Sequence, residues 1–244
     1  MMFDAKQVTQ QAVNWLKQRF ETDGKGCKAV VGISGGKDST VVAALCVRAL
    51  GKDRVVGVLM PNGTQRDIAD SRAVCSHLGI EKFEINIQTA YDSILEQLAG
   101  QIPVTSQSRI NLAPRLRMSA LYAVAQSVNG RVINTSNLSE AWVGYSTRYG
   151  DGAGDFAPLL NLTVTEIIEI GKELGLPEYL VTKAPADGLT GKSDEEKLGF
   201  TYAALDEYIR SGVCPNPDFK EKIDSLHAKN LFKTQLMPAF NYEK

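Results

Sequence analysis

Apolar side chains recur along the chain at two spacings, and each spacing predicts one kind of element. In residues 3–21 the apolar side chains have helical spacing. Residues 28–33 (KAVVGI), by contrast, form the short apolar, β-branched run that is typical of a buried strand. Continuing the same reading predicts strands at 28–33, 54–60, 82–87 and 131–134, and helices at 3–21, 39–50, 66–78, 89–99, 107–128, 163–174, 198–211 and 217–230. Strands that alternate with helices predict an α/β fold, a doubly wound parallel sheet with helices on both faces.

Two stretches lack this periodicity. Residues 144–158 are rich in glycine, and a loop of this length inside a compact domain is usually functional. Residues 183–197 (KAPADGLTGKSDEEK) are polar and charged, and we expect them to form a lid. No repeat, low-complexity tract or linker divides the chain, so we expect one domain over residues 1–244.

Composition and charge exclude several classes of protein. The formal net charge is −1, so no strongly basic surface indicates a nucleic-acid partner. The longest apolar run, Val41 to Val47, is far too short to span a bilayer, and the first residues do not resemble a signal peptide; we therefore expect a cytoplasmic protein without a membrane partner. The four cysteines form no CxxC pair, and Cys46 and Cys75 fit buried free thiols.

The strongest chemical signal is the segment GISGGKDS, which lies between the first predicted strand and the next helix. This position directs backbone N–H groups and the positive end of a helix dipole at an anion, and the glycines let phosphates approach closely. The segment is neither a Walker A loop nor a Rossmann fingerprint. A carboxylate beside polyphosphate would be repelled, so Asp38 predicts a bridging Mg²⁺.

The motif SGGKDS resembles the PP-loop of the ATP pyrophosphatases, which cleave ATP between the α- and β-phosphates. Further segments are similar to those of NAD synthetases, in the same order and over roughly residues 5–240. They are residues 111–118 (NLAPRLRM), 134–140 (NTSNLSE), 145–155 (YSTRYGDGAGD), 183–189 (KAPADGL) and 194–199. The resemblance implies the adenine nucleotide alpha hydrolase-like fold, with a C-terminal helical segment.

The resemblance also implies a role for individual residues. Binding of ATP, the co-substrate, falls to Gly32, Ile33, Ser34, Gly35, Gly36, Lys37, Asp38, Ser39, Leu59, Met60, Gln65, Arg117, Thr135, Val164 and Ala186. Contacts to the dinucleotide substrate fall to Asn111, Arg115, Arg117, Tyr145, Arg148, Asp155, Phe232 and Lys233, the last two reaching the site of a neighbouring subunit. Asp38 and Glu140 would hold Mg²⁺, and the catalytic set would be Asp38, Lys37, Asp151 and Lys183.

Several of these residues have a simpler interpretation. Asp151 and Asp155 suit turns in a glycine-rich loop, Glu140 suits the first turn of a helix, and Tyr145 suits packing. Arg115 and Arg117 are two residues apart on a helix and point to different faces, so one of them fits a surface arginine. His77 and His227 match no catalytic pattern.

The chain departs from the family pattern at several positions. Val164 stands where many members have lysine, and Ala186 where they have serine or threonine; Lys37, Lys183 and Lys192 are the candidate replacement cations. At three more positions the chain also differs: Arg148 stands where a lysine is frequent, and Asn137 and Phe232 stand where a histidine is common.

The implied reaction converts deamido-NAD to NAD. The nicotinate carboxylate attacks the α-phosphate of ATP, pyrophosphate leaves, and ammonia displaces AMP from the acyl-adenylate. A glutaminase domain does not fit within 244 residues, so we expect free ammonia or a separate glutaminase subunit as the donor. Family members are homodimers, which implies a homodimer here. Two alternatives stay open: a PP-loop enzyme acting on tRNA, and a module that binds ATP without chemistry.

Overall fold

The fold is built on a parallel sheet. The computed structural model describes residues 3–65, 68–182 and 193–242, and within them four strands occur: β1 (Lys28–Gly32), β2 (Val55–Leu59), β3 (Glu81–Glu84) and β4 (Gly130–Ile133). Their order in the sheet is β3-β2-β1-β4, and every pairing is parallel. β1 (KAVVG) and β2 (VVGVL), at the centre, are mostly small or β-branched apolar residues, as strands covered on both faces require.

Helices connect and flank the strands. They are α1 (Ala5–Thr22), α2 (Lys37–Leu50), α3 (Ile68–Leu78), α4 (Gln88–Ala99), α5 (Ser106–Ser127), α6 (Leu138–Val143), α7 (Val164–Glu173), α8 (Glu178–Val181), α9 (Asp194–Leu198), α10 (Tyr202–Ser211) and α11 (Pro217–Asn230). A 3₁₀ turn, Leu231–Lys233, follows α11. Within the described residues, no helix is both long and apolar enough to cross a membrane.

The core lies on both faces of the sheet, which confirms the doubly wound prediction. On one face, α1, α2, α3 and α7 pack around buried side chains that include Leu45 and Ile167. On the other, α5 supplies Leu121 and Ala125 against Val30 and Val58. A third cluster joins α6, α7, α10 and α11 beyond the sheet, so a separate helical layer stands beside its carboxyl edge. Cys46 and Cys75 are buried free thiols, as expected.

Two of the predicted element boundaries were wrong, and one helix next to the site was missed. The strand expected at 82–87 ends at Glu84. The helix expected at 198–211 begins only at Tyr202, because Gly199 adopts a left-handed conformation (φ 76°) that ends the short helix α9. The apolar pattern also did not predict α6, a helix of six residues, although Glu140 lies in its first turn, the position for which this carboxylate was judged suitable.

Candidate active site

The glycine-rich loop forms the floor of the site. It follows β1, and the ends of β2 and β4 lie beside it because the carboxyl ends of parallel strands share one edge of a sheet. The Ser34 hydroxyl accepts from the Gly36 N–H (3.2 Å) and lies 3.1 Å from the Ser39 hydroxyl. Gly35 has a φ of 81°, and a Cβ there would lie 2.9 Å from the Ser71 nitrogen. Only glycine fits this turn, and the turn leaves the start of α2 open to an anion.

Lys37 and Asp38 form a shielded ion pair at the start of α2. The Lys37 Nζ lies 3.0 Å from Asp38 Oδ2, and only 3% of the lysine side chain is exposed. Burial alone would lower the pKa of Lys37, but the carboxylates of Asp38 and Glu140 outweigh it and raise the pKa. The ammonium therefore stays charged. The Asn137 side-chain amide donates to Asp38 Oδ1 (3.3 Å), so Asn137 orients this carboxylate.

Glu140 faces the same pair from the first turn of α6. Asn137 caps this helix by accepting from the Glu140 N–H (2.9 Å), which fixes the carboxyl beside Asp38. Removal from water and then the negative charge of Asp38 raise the pKa of Glu140 to about 8, although Lys37 opposes the shift. Two carboxylates thus share a site with one ammonium, and a bound cation would let both ionise.

Replacing Glu140 by glutamine should change how stability depends on pH. The pKa of Glu140 is raised from 4.5 to about 8, so between these values the folded protein holds a proton that the unfolded chain has released. The free energy of unfolding of the wild type therefore falls as the pH rises through this window, and that of Glu140→Gln should fall less. Urea unfolding without divalent cations, from about pH 5 to about pH 8, measures both slopes.

The exposed Glu207 of α10 provides the control for this experiment. Glu207→Gln should reproduce the wild-type profile. Parallel profiles for the wild type and Glu140→Gln would contradict the raised pKa.

The loop after α6 folds against the site through its own polar groups. The Tyr145 hydroxyl donates to Asp194 Oδ1 (2.8 Å), and Asp194 is buried. Asp151 Oδ1 accepts from the Thr147 N–H (2.8 Å). Burial is the largest influence on Asp151 and raises the pKa of its carboxyl. Asp151 therefore faces the site from the loop, and also has the turn role that its glycine-rich surroundings suggested.

Three residues that we expected to contact the substrate or ATP lie on α5. Arg117 Nε donates to the Met60 carbonyl (3.0 Å) at the end of β2, and burial lowers the pKa of this guanidinium. Arg115 Nε donates to the Arg148 carbonyl (3.3 Å), and the Asn111 amide oxygen accepts from the Thr147 hydroxyl (2.9 Å). The structure brings these side chains to the same edge of the sheet, where Arg117 lies deepest.

The C-terminal segment closes the end of α6. His227 Nδ1 lies 2.7 Å from the Trp142 carbonyl, the Asn230 amide donates to the Val143 carbonyl (3.0 Å), and Lys233 Nζ donates to the Gly144 carbonyl (2.7 Å). Residues spaced by three along α11 and the following turn thus satisfy consecutive carbonyls that a helix end leaves free. This arrangement gives His227 the structural role that its isolated position suggested.

Phe232 and Lys233 contact their own chain. The Arg148 guanidinium lies 5.6 Å from the centre of the Phe232 ring and donates to the Gln235 carbonyl (3.2 Å). Lys233 also donates to the Ser146 carbonyl (3.0 Å). Their contacts to a neighbouring subunit's substrate stay a prediction.

The Asp155 carboxylate is bound to the edge strand β4 and to helix α5. Its Oδ2 accepts from the Val132 N–H (2.8 Å) and its Oδ1 from the Tyr122 hydroxyl (3.1 Å), so both carboxylate oxygens have partners in the chain. The next residue, Phe156, pairs with Ile133 as a parallel bridge. The contacts give Asp155 a structural role, and its expected contact to substrate stays a prediction.

The remaining predicted residues fall into two groups. In the first group, Leu59 ends β2 and Gln65 lies in the loop between β2 and α3. Thr135 follows β4, and Val164 is the first residue of α7. Lys183, Ala186, Lys192 and most of the expected lid at 183–197 lie outside the described residues.

Sequence reasoning missed a buried carboxylate that joins three helices. Asp206 of α10 is 5% exposed and accepts from the hydroxyl of Ser139 on α6. Its other oxygen accepts from the N–H (2.8 Å) and hydroxyl (2.7 Å) of Thr165 on α7. Asp206 therefore fixes the residue next to Glu140, and no local motif marks it.

A family model described as NAD synthase matches residues 8–237. The chain belongs to the NAD synthase family. Among curated relatives, the NH(3)-dependent NAD(+) synthetase of Thermococcus kodakarensis is 41% identical over 207 residues, covering 84% of this chain and 80% of the relative. That of Finegoldia magna is 35% identical over 240 residues and covers 97% of each chain.

Solved structures agree with the family, and their names give two different activities. The NMN synthetase of Francisella tularensis has a TM-score of 0.91 at 34% identity and covers 99% of this chain and 100% of that one. The NH3-dependent NAD synthetase of Campylobacter jejuni has a TM-score of 0.79 at 30% identity and covers 98% and 100%.

Proposed function

We propose that the protein is an ammonia-using ligase that converts the nicotinate carboxylate of deamido-NAD to the amide of NAD. The observation that carries the proposal is the Lys37–Asp38–Glu140 cluster beside the glycine-rich loop, in a chain of the NAD synthase family. ATP would activate the carboxylate as an acyl-adenylate with release of pyrophosphate, and ammonia would then release AMP.

The residues of the cluster fit the chemistry of Mg²⁺. Asp38 and Glu140 are hard oxygen donors, and their mutual repulsion favours a cation between them. Within the described residues, no group of three or more His, Cys, Asp or Glu could hold a metal. Mg²⁺ usually keeps several waters and binds through one or two carboxylates and the phosphates of its substrate. When bound, the ion would neutralise charge on the pyrophosphate leaving group.

The chain's own groups would align the reactants and stabilise charge. Backbone N–H groups of the loop and the start of α2 face the expected phosphates, and the buried ammonium of Lys37 adds a fixed positive charge beside them. This charge also makes Lys37 our choice for the cation that replaces the family lysine at Val164. Arg117, next to the end of β2, would border the nucleotide. Such prearranged charges act without reorganisation during the reaction.

Part of the proposal goes beyond the site. The single domain over residues 1–244, the cytoplasmic location and the homodimer belong to this part. The dimer is supported by apolar side chains at the end of the chain that are more than half exposed, namely Phe232, Leu236, Met237, Phe240 and Tyr242.

A second candidate substrate is the mononucleotide that carries the same nicotinate carboxylate. The observation that favours it is the likeness to the NMN synthetase of Francisella tularensis, whose TM-score of 0.91 exceeds the 0.79 of the NAD synthetase from Campylobacter jejuni. Both substrates present one carboxylate to the same adenylation chemistry.

The purified protein should form an amide and AMP together when given ATP, Mg²⁺, ammonium and a nicotinate nucleotide. Parallel reactions with deamido-NAD and with nicotinic acid mononucleotide, followed by chromatography of NAD, NMN and AMP, decide between the two substrates. A reaction with glutamine in place of ammonium identifies the nitrogen donor. Absence of AMP in every mixture would overturn the ligase proposal.

A further inference from the structure

Tyr202 presents a buried hydroxyl that has no partner in the chain. The residue is 4% exposed, and its phenolic oxygen forms no hydrogen bond. A buried hydroxyl without a partner costs stability, so such a group in a folded protein calls for an explanation. None of the roles assigned above uses it.

The ring of Tyr202 lies inside the charged cluster. The Lys37 ammonium lies over it, 5.8 Å from the ring centre. Glu140 and Asp194 are close enough that their charges, after burial, raise the pKa of the phenol. The hydroxyl is therefore protonated at physiological pH and acts as a hydrogen-bond donor, yet neither carboxylate lies within hydrogen-bond distance of it.

The position of Tyr202 is fixed by its backbone and by its ring. It is the first residue of α10, and its N–H donates to Glu195 Oε1 (2.7 Å). The ring packs in the cluster that contains Val164 and Leu205. The hydroxyl is thus a prearranged donor in the same charged cluster as the side chain of Lys37, the first residue of α2.

We propose that Tyr202 donates a hydrogen bond to a phosphate oxygen of the bound ATP. This inference rests on the proposed function, which places ATP on the loop before Lys37. Phosphate oxygens supply the acceptors that the neighbouring side chains do not. The Lys37 ammonium, which lies over the ring, is the cation that would hold this phosphate near the hydroxyl.

Tyr202→Phe tests the inference because it deletes the oxygen and keeps the ring beneath Lys37. We expect the dissociation constant of Mg·ATP, measured by calorimetry without a nicotinate substrate, to rise about tenfold or more, as for a lost hydrogen bond to a charged group. The melting temperature of the ligand-free variant should equal or exceed that of the wild type, because an unsatisfied buried oxygen is removed.

Tyr208→Phe is the matched control on the same helix. The Tyr208 hydroxyl donates to Asp224 (2.8 Å) at the surface, so its loss should leave Mg·ATP binding unchanged. An affinity of Tyr202→Phe within twofold of the wild type would overturn the inference. A lowered melting temperature with weaker binding would indicate a structural role, and an effect confined to the Michaelis constant of ammonium would indicate a different ligand; either result overturns it.

The calorimetric measurement also separates the inference from the proposed function. A wild type that binds Mg·ATP but amidates no nicotinate nucleotide would refute the function and still allow the test of Tyr202. A wild type that binds no Mg·ATP would refute both.

Discussion

Asp38→Ala should lower the turnover of the amide-forming reaction by more than ~100-fold, the scale of a lost electrostatic stabiliser. Asp38 stands between the loop and Glu140, with one oxygen 3.0 Å from the Lys37 ammonium and the other accepting from Asn137. Without it, the proposed cation keeps one carboxylate and the lysine loses its partner. Steady-state release of AMP and pyrophosphate at saturating substrates measures the effect.

Asp53→Ala is the control for this variant. Asp53 is exposed in the turn that precedes β2, at the end of the strand opposite to the site, and its loss should leave turnover unchanged. Turnover of Asp38→Ala within a few-fold of the wild type would contradict the metal-binding role of Asp38.

Asp206→Ala should lower the free energy of unfolding by about 3 kcal/mol, because it leaves several buried donors without an acceptor. The donors are the hydroxyl of Ser139 and the N–H and hydroxyl of Thr165, on two different helices. Since Ser139 adjoins Glu140, the variant should also weaken the binding of Mg·ATP. Urea unfolding at neutral pH measures the stability, and calorimetry measures the binding.

Asp224→Ala is the control that shows whether the loss of any hydrogen-bonded carboxylate would destabilise the protein equally. Asp224 also accepts two side-chain hydrogen bonds, from Tyr208 and Lys220, but at the surface, where such pairs contribute about 1 kcal/mol or less. Equal losses of stability in the two variants would contradict the role of Asp206 as the junction of three helices.

The sequence was sufficient for those parts of the fold that depend on local patterns. The apolar runs of β1 and β2 are nearly continuous because both faces are covered, and GISGGKDS joins β1 to α2 through residues 33–36, of which Ser34, Gly35 and Gly36 are small. Asp38 and Glu140 were also identified, because each stands next to a strand end in a motif shared with a known family.

The remaining features depend on contacts between distant residues. Ser139 and Asp206 are 67 positions apart, and Tyr145 and Asp194 are 49 apart, so neither partner marks the other in the sequence. Tyr202 has the helical spacing of an ordinary core residue, and only its missing partner distinguishes it. Lys233 was associated with a neighbouring subunit through the family resemblance, and its contact with the Gly144 carbonyl, 89 positions away, has no mark in the sequence.

The two outer strands of the sheet are protected against joining those of another molecule. Beside β4, the chain's own residues Asp155 and Phe156 occupy the hydrogen-bonding groups that an incoming strand would need. At the opposite border, β3 is four residues long, exposed throughout, and carries Glu81, Lys82 and Glu84. Short length and charge both discourage strand addition. The aggregation-prone segments of the chain are the apolar strands β1 and β2, which are covered on both sides within the sheet. We therefore expect little aggregation through strand pairing, even at high protein concentration.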